Sequence, residues 1–252
     1  MTRQHAERAF HEEQARRRWE TLAAGPEALR VDADAYLDHE TWLRPAFALL
    51  GDVAGRRVLD FGCGHGMAGV LLAERGAQVV GFDLAGGYVA EAAARSAVHR
   101  LTQRWAGVQA AGERLPFADR SFDRVWAHAI LHHLDLPTAA AELRRVLRPG
   151  GWVVAAEPWG GNPLVAWARR RCAYPDKERS ADEEPLRAAD LAVLRRCFRL
   201  VEVHPFQLLG MLRRRWPSLP GRRWLDRVDA ALLHRVPGLG QWSRYVVLKL
   251  LP

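Results

Sequence analysis

The residues with the clearest chemical meaning form one short run, Val58-Leu59-Asp60-Phe61-Gly62-Cys63-Gly64-His65-Gly66. An apolar strand leads into three alternate glycines and then into a helix. Glycine lets the backbone turn at positive φ and lets a ligand come close to the main chain. Asp83 ends the next apolar run, 21 residues after Gly62. An acid at that place in a doubly wound fold accepts from ribose hydroxyls, so the pair of features points to an adenosine-bearing ligand. The glycine spacing narrows the choice. A dinucleotide site carries G-x-G-x-x-G, whereas here the position of the third glycine is Met67 and the pattern is G-x-G-x-G. No Gly-Lys-Ser/Thr follows, so a P-loop is excluded too. The run suits a ligand without a pyrophosphate and disfavours a nicotinamide-dependent oxidoreductase; its plain alternative is a glycine-rich turn that binds nothing.

These residues need a framework, and the apolar pattern supplies one. Strands are predicted over 57–61, 78–83, 108–110, 122–127 and 152–157, with helices over 67–75, 88–101 and 137–147 between them. Two late strands follow at 200–206 and 244–250. Strand and helix alternate with short links, and parallel strands require crossover helices, so the fold class is α/β: a doubly wound, mostly parallel sheet covered on both faces. Residues 1–50 read as helical, one helix over 10–19 stopped by Gly25-Pro26 and another from 33 or 36 to 50. Three regions result: an N-terminal helical cap (1–50), a ligand-binding core (51–158), and a C-terminal part (159–252) that completes the sheet at about 198–206 and 243–250 and carries insertions.

Over about residues 40–158 the chain resembles the class I S-adenosylmethionine-dependent methyltransferases, among them the ubiquinone/menaquinone-type and other small-molecule enzymes. The resemblance rests on the glycine run, Val80-Gly81-Phe82-Asp83-Leu84, Gly112-Glu113-Arg114-Leu115-Pro116-Phe117 with Ser121-Phe122-Asp123, Leu131-His132-His133-Leu134, and Leu147-Arg148-Pro149-Gly150-Gly151. It implies a seven-stranded Rossmann-like sheet whose last strand is antiparallel, and S-adenosylmethionine as cofactor. It also implies roles. Asp60 and the backbone of Gly62, Cys63 and Gly64, with Gly66 beside them, hold the methionine part. Asp83 takes the ribose hydroxyls, Leu84 packs on adenine, Gly112 and Glu113 line its edge, and Ala127 and His128 border the methionine. One departure is plain: Ala111 stands where the family often has an adenine-binding Asp, which leaves adenine to backbone groups, Glu113 or water.

Methyl transfer is an in-line displacement in which the cofactor brings both electrophile and leaving group. The protein aligns and desolvates a nucleophile, and for a hydroxyl or an acidic carbon a base helps. The candidate bases are His128, His132, His133 and Glu157. His128 and Glu157 fall at carboxyl ends of predicted strands, where such folds place their sites; His132-His133 can equally begin the next helix, and Glu157 can simply end its strand. His128 and His132 have the i, i+4 spacing of a helical metal site, yet no third ligand completes a recognised set and no metal is expected. His11 with Trp19, or His39 with Trp42, could close over the cofactor.

The acceptor must be read by segments outside the resemblance, 1–50, 159–195 and 207–242. Residues 160–252 hold 18 Lys+Arg against 9 Asp+Glu, while residues 1–159 hold 19 against 20. Arginine runs at 213–215 and 222–223 lie beside Trp216 and Trp224. Arginine and tryptophan together suit a flat, anionic or aromatic small-molecule acceptor, or peripheral contact with an anionic membrane; a solvated basic face is the alternative. No nucleic-acid motif accompanies the charge. The expected reaction is methyl transfer to a small organic molecule, at oxygen before nitrogen or carbon, the acceptor being quinone- or lipid-like if membrane-associated. The rival from another class is a non-catalytic cofactor-binding or regulatory protein. The acid-bearing start of the chain lacks an apolar leader, the three scattered cysteines form no disulfide framework, and no apolar run reaches a membrane span; a cytoplasmic location is expected. The sequence fixes no oligomeric state.

Overall fold

A computed structural model describes residues 3–22, 25–163, 167, 171, 184–210 and 222–252. Seven strands form one sheet: β1 (Arg57–Phe61), β2 (Gln78–Asp83), β3 (Trp105–Gln109), β4 (Phe122–His128), β5 (Leu147–Pro158), β6 (Leu200–Phe206) and β7 (Tyr245–Leu251). Their spatial order is β3-β2-β1-β4-β5-β7-β6. The first five strands pair in parallel, and β7 lies antiparallel between β5 and β6. The seven-stranded, mostly parallel sheet with an antiparallel last strand is therefore present.

The helices are α1 (Arg3–Leu22), α2 (Ala33–His39), α3 (Leu43–Leu49), α4 (Met67–Glu74), α5 (Gly86–Val98), α6 (Leu136–Val146), α7 (Ala188–Cys197) and α8 (Arg222–Arg235). They bury the two sheet faces separately. Strand periodicity sends Val125 and Ala127 to a core shared with Leu143 of α6 and Leu194 of α7. Trp126 between them faces the opposite core, against Phe47 of α3 and Val70 of α4. This alternation along β4 makes the strand apolar throughout, as burial on both faces requires.

Three boundaries differ from the pattern reading. Helix α6 ends at Val146 and β5 starts at Leu147, which pairs with Phe122 before a register shift; Pro149 biases the preceding residue to extended backbone and so ends the helix early. Strand β3 is displaced toward Trp105, whose side chain is buried. Helix α5 begins at Gly86 because a carboxylate from far away in the chain, Glu12 of α1, accepts from the free N–H groups of Gly86 (2.7 Å) and Gly87 (3.0 Å). The N-terminal region past α1 forms two short helices rather than one.

Register decides the site. Phe61 of β1 is aligned with Phe82 of β2 and Ala127 of β4. Gly62, Asp83 and His128, each one residue further on, consequently meet at a single edge of the sheet.

Candidate functional site

The glycine loop takes its shape from backbone that only glycine adopts easily. Gly62, Gly64 and Gly66 have φ of +73°, +47° and +82°. A side chain at Gly66 would run into the Ala92 backbone of α5, with Cα at 2.7 Å. Gly64 is different, since a Cβ there would meet nothing within 4 Å; its open side lies on a cavity. Gly112 closes the far end, tight against Phe61 and Leu134, where a Cβ would lie 2.9 Å and 2.8 Å from their side chains.

This cavity holds about 300 Å³, within the range of small-molecule sites. Gly62, Gly64, Asp83, Leu84, Gly112, Glu113 and His128 all line it. Asp83 accepts from Gly64 N and Ala85 N, each at 3.0 Å. A carboxylate has about four acceptor positions, so two of these bonds leave room for a pair of hydroxyls. Burial raises the Asp83 pKa, against the pull of those backbone N–H groups. Ala111 lines the cavity too, so the departure from the family pattern lies on the wall itself.

The remaining expected cofactor residues, Asp60, Cys63, Gly66 and Ala127, stand behind the wall. Asp60 is 2% exposed. Burial and the nearby Asp83 carboxylate push its pKa up to about 7. Cys63 is buried and its thiol is pushed well up by burial and by the two acids, so it remains protonated.

The four candidate bases divide in the same way. His128 and His133 line the cavity. Burial lowers the His128 pKa to about 4, leaving a neutral imidazole at ordinary pH. Trp42 packs edge-on against it at 4.7 Å and stacks on Tyr245 at 5.0 Å. His132 and Glu157 lie one layer deeper. Glu157, wholly buried, accepts from Ile130 N (3.0 Å), Leu131 N (2.9 Å) and His132 Nδ1 (2.6 Å). Burial pushes its carboxyl up, but the His132 hydrogen bond and charge and the two N–H groups outweigh this and hold the pKa below the ordinary value. Glu157 and His132 thus fix the turn that carries Ile130 and His133. Ala129, at φ +52°, redirects the chain out of β4 into that turn, a conformation that no residue type at this position announces.

Sequence reasoning placed His11 of the N-terminal helix over the cofactor but missed the other α1 residues along one side of the cavity. Glu7, His11, Gln14 and Arg18 all line it. Their spacing of four, three and four is a helical stripe, but a polar one that resembles a solvated face. His11 reaches the cavity, whereas Trp19 is 37% exposed. Helix α1 is held by Glu12 and by a pair in which the half-exposed Arg18 donates to the buried Glu91 at 3.0 Å. In an Asp/Ser-type cap, loss of the acceptor costs about 0.5–2 kcal/mol. Glu12→Ala is expected to weaken α1 docking by that amount, visible as faster amide hydrogen exchange at Gly86 and Gly87 and through α1.

None of the described residues beyond Leu134 lines this cavity. The described C-terminal part surrounds a second cavity between β6, α7 and α8 instead, lined by Trp159, Leu191, Phe206 and Leu233 among others. Arg213, Arg214, Arg215, Met211 and Trp216 fall outside the described residues, as do Tyr174 and the side chains of Arg222 and Arg223. Trp224 is 66% and Trp167 56% exposed.

Residues 59–155 match a family model described as "Methyltransferase domain". A demethylmenaquinone methyltransferase of Beutenbergia cavernae is 39% identical over 123 residues, 47% of this chain and 49% of that protein. A ubiquinone biosynthesis O-methyltransferase of Paracidovorax citrulli is 36% identical over 108 residues, 41% of this chain and 44% of that protein. The chain therefore spans less than half the length of either relative. Among solved structures, geranyl diphosphate C-methyltransferase from Streptomyces coelicolor shares the fold, with a TM-score of 0.60, 17% identity, and coverage of 82% of this chain and 76% of that one. Residues 59–155, which hold the glycine loop, Asp83 and His128, thus resemble a methyltransferase domain.

Proposed function

We propose that the whole chain transfers the methyl group of S-adenosylmethionine to a small organic acceptor, with oxygen as the favoured atom and nitrogen or carbon as alternatives. One observation carries this reading: the glycine loop and Asp83 share a single cavity with the neutral His128. The residues fit the cofactor, since Gly64 leaves open space against the backbone and Asp83 keeps acceptor capacity toward the cavity. When bound, S-adenosylmethionine supplies an electrophilic methyl and its leaving group. This chain's residues do the rest. Asp83 orients hydroxyls, Gly62 and Gly64 offer close backbone, and Gly112 and Ala111 shape the far wall. His128, uncharged because buried, is the group placed to take the proton of an acceptor hydroxyl; the same burial makes it a weak base, so its contribution lies at or below the low end of the about 10²–10⁴-fold typical of general bases. Glu157 and His132 act as positioning residues through the 130–133 turn.

Oxygen is favoured by that neutral base and by the relative named for ubiquinone O-methylation. A quinone- or lipid-like acceptor also suits a chain whose last third carries 18 Lys+Arg against 9 Asp+Glu and exposes Trp224, features that favour peripheral contact with an anionic surface. No described helix is long and apolar enough to cross a membrane, and the cytoplasm is the proposed compartment.

Calorimetric titration with S-adenosylhomocysteine and with NAD should give binding only to the first. Asp83→Ala should then cost about 2–4 kcal/mol, one to two charged hydrogen bonds, or roughly 30- to 1000-fold in affinity. Unchanged affinity would refute the ribose assignment. A metabolite pool incubated with labelled cofactor, read by mass spectrometry, identifies the acceptor; a solved [4+2]-cyclase shares this fold at TM-score 0.54 and 21% identity, so turnover and not architecture decides the reaction.

A further inference from the structure

Helix α1 and the turn after β4 bring together three groups that are far apart in the chain. Glu7 and His11 lie one turn apart on α1, and His133 faces them from the 130–133 turn. His11 Nε2 is 3.3 Å and His133 Nδ1 3.6 Å from the same oxygen, Glu7 Oε2. One donor atom from each residue lies within 4.8 Å of the other two. Bonds of about 2.0–2.2 Å in a tetrahedral zinc site separate neighbouring donors by roughly 3.3–3.6 Å. Two of the three spacings already match that separation.

Burial makes the set more telling. Glu7 is 7% exposed, and its Oε2 makes no hydrogen bond among the described residues despite the two imidazole nitrogens beside it. A carboxylate oxygen buried without a hydrogen bond is costly, and a cation between the three groups satisfies it. The two rings meet edge-on, centroids 5.8 Å apart. All three residues line the cavity of the glycine loop, so an ion held by them faces that cavity. The set differs from the i, i+4 pair His128/His132.

We propose that Glu7, His11 and His133 bind one divalent transition ion at the rim of the cavity and that this ion holds an oxygen of the methyl acceptor. Two imidazoles and one carboxylate suit zinc or a similar ion rather than magnesium or calcium, which prefer all-oxygen sites. Three protein ligands leave a position open, the arrangement of catalytic rather than structural zinc. A phenol, enol or carboxylic acid in that position has its O–H acidified, and its proton leaves to solvent or to a neighbouring base. The role in binding the acceptor rests on the methyltransferase reading; the ion site itself does not.

The test titrates the full-length chain with Zn²⁺ by calorimetry and with Co²⁺ by visible absorption, with and without S-adenosylhomocysteine. Wild type should take up one ion per chain, with Co²⁺ bands of a low-symmetry four- or five-coordinate site. Glu7→Gln, His11→Ala and His133→Ala should each weaken it by at least the 10–100-fold typical of disturbing even a metal's supporting residues. His128→Gln, in the same cavity but outside the set, should bind Zn²⁺ as wild type does. Zn²⁺ should also slow amide hydrogen exchange in α1, because it ties that helix to the 130–133 turn. No uptake by a chain that still binds S-adenosylhomocysteine, or uptake unchanged in the three variants, overturns the ion site and leaves the methyltransferase reading intact. Zn²⁺ uptake without S-adenosylhomocysteine binding supports the site and overturns that reading.

Discussion

Glu157→Ala is expected to destabilise the folded chain by about 3–5 kcal/mol, the range for removing one partner of a buried charged network. The carboxylate is fully buried and accepts three hydrogen bonds, from Ile130 N, Leu131 N and His132 Nδ1. The truncation strands two wholly buried donors, Leu131 N and His132 Nδ1, and the half-buried Ile130 N, and each buried polar group left unpaired costs about 1–3 kcal/mol. Relaxation of the turn recovers part of that total. Glu157→Gln keeps one acceptor oxygen and should fall between the two. Urea unfolding measures the difference; a loss below about 1 kcal/mol in Glu157→Ala would mean that the turn is held by its apolar contacts, chiefly the wholly buried Leu131. Because Ile130 lies against Gly62, the same variant should also loosen the glycine loop and weaken S-adenosylhomocysteine binding.

Without ligand, Asp60 should contribute a loss of stability as pH rises from about 4 to 7. It is opposed by the buried His128 and His65, whose pKa values are lowered to about 4 and which therefore favour the folded chain as pH rises to about 6.5; Asp60→Asn should remove the Asp60 part alone. Burial and the Asp83 charge raise the Asp60 pKa from 3.8 to about 7 in the folded chain. Between those values the folded state keeps a proton that the unfolded state has released. The Asp60 contribution therefore declines with each step upward in pH, is fully retained below the unfolded pKa, and is lost above the folded one. Three pH steps at about 1.4 kcal/mol each give roughly 4 kcal/mol across the window. Thermal or urea unfolding of both chains at a series of pH values isolates the effect as their difference. Parallel curves between pH 4 and 7 would mean that Asp60 stays ionised beneath the loop.

The parts of the site that were legible in the sequence are those fixed by local backbone. Three alternate glycines after an apolar run dictate a tight turn, and an acid ending the next strand must arrive beside it once the strands pair in parallel. The strand order is not contained in any local pattern, and the reversal of β7 came from the resemblance. Glu157 shows the limit of reasoning from strand ends: its position in β5 was clear, but not that two N–H groups and an imidazole would draw its carboxylate away from the cavity. The α1 stripe was harder still. Glu7, His11, Gln14 and Arg18 are residue types that ordinarily face water, and only the docking of α1 on α5, through Ala15 against Gly87 and Glu12 on the α5 terminus, turns them inward. The C-terminal arginines at 213–215 lie outside the described residues.

That docking has a thermodynamic corollary. Part of the cavity wall belongs to a helix attached to the domain by the buried Ala15 and a few polar contacts, so attachment of the helix and occupancy of the cavity are coupled equilibria. A ligand that touches α1 favours its attached state, and the free energy needed to order the helix is subtracted from the ligand's intrinsic affinity. Reciprocity then applies: whatever changes the attachment of α1, be it a fused segment, a bound ion or a surface that competes for its polar face, changes ligand affinity by the factor with which the ligand changes that attachment.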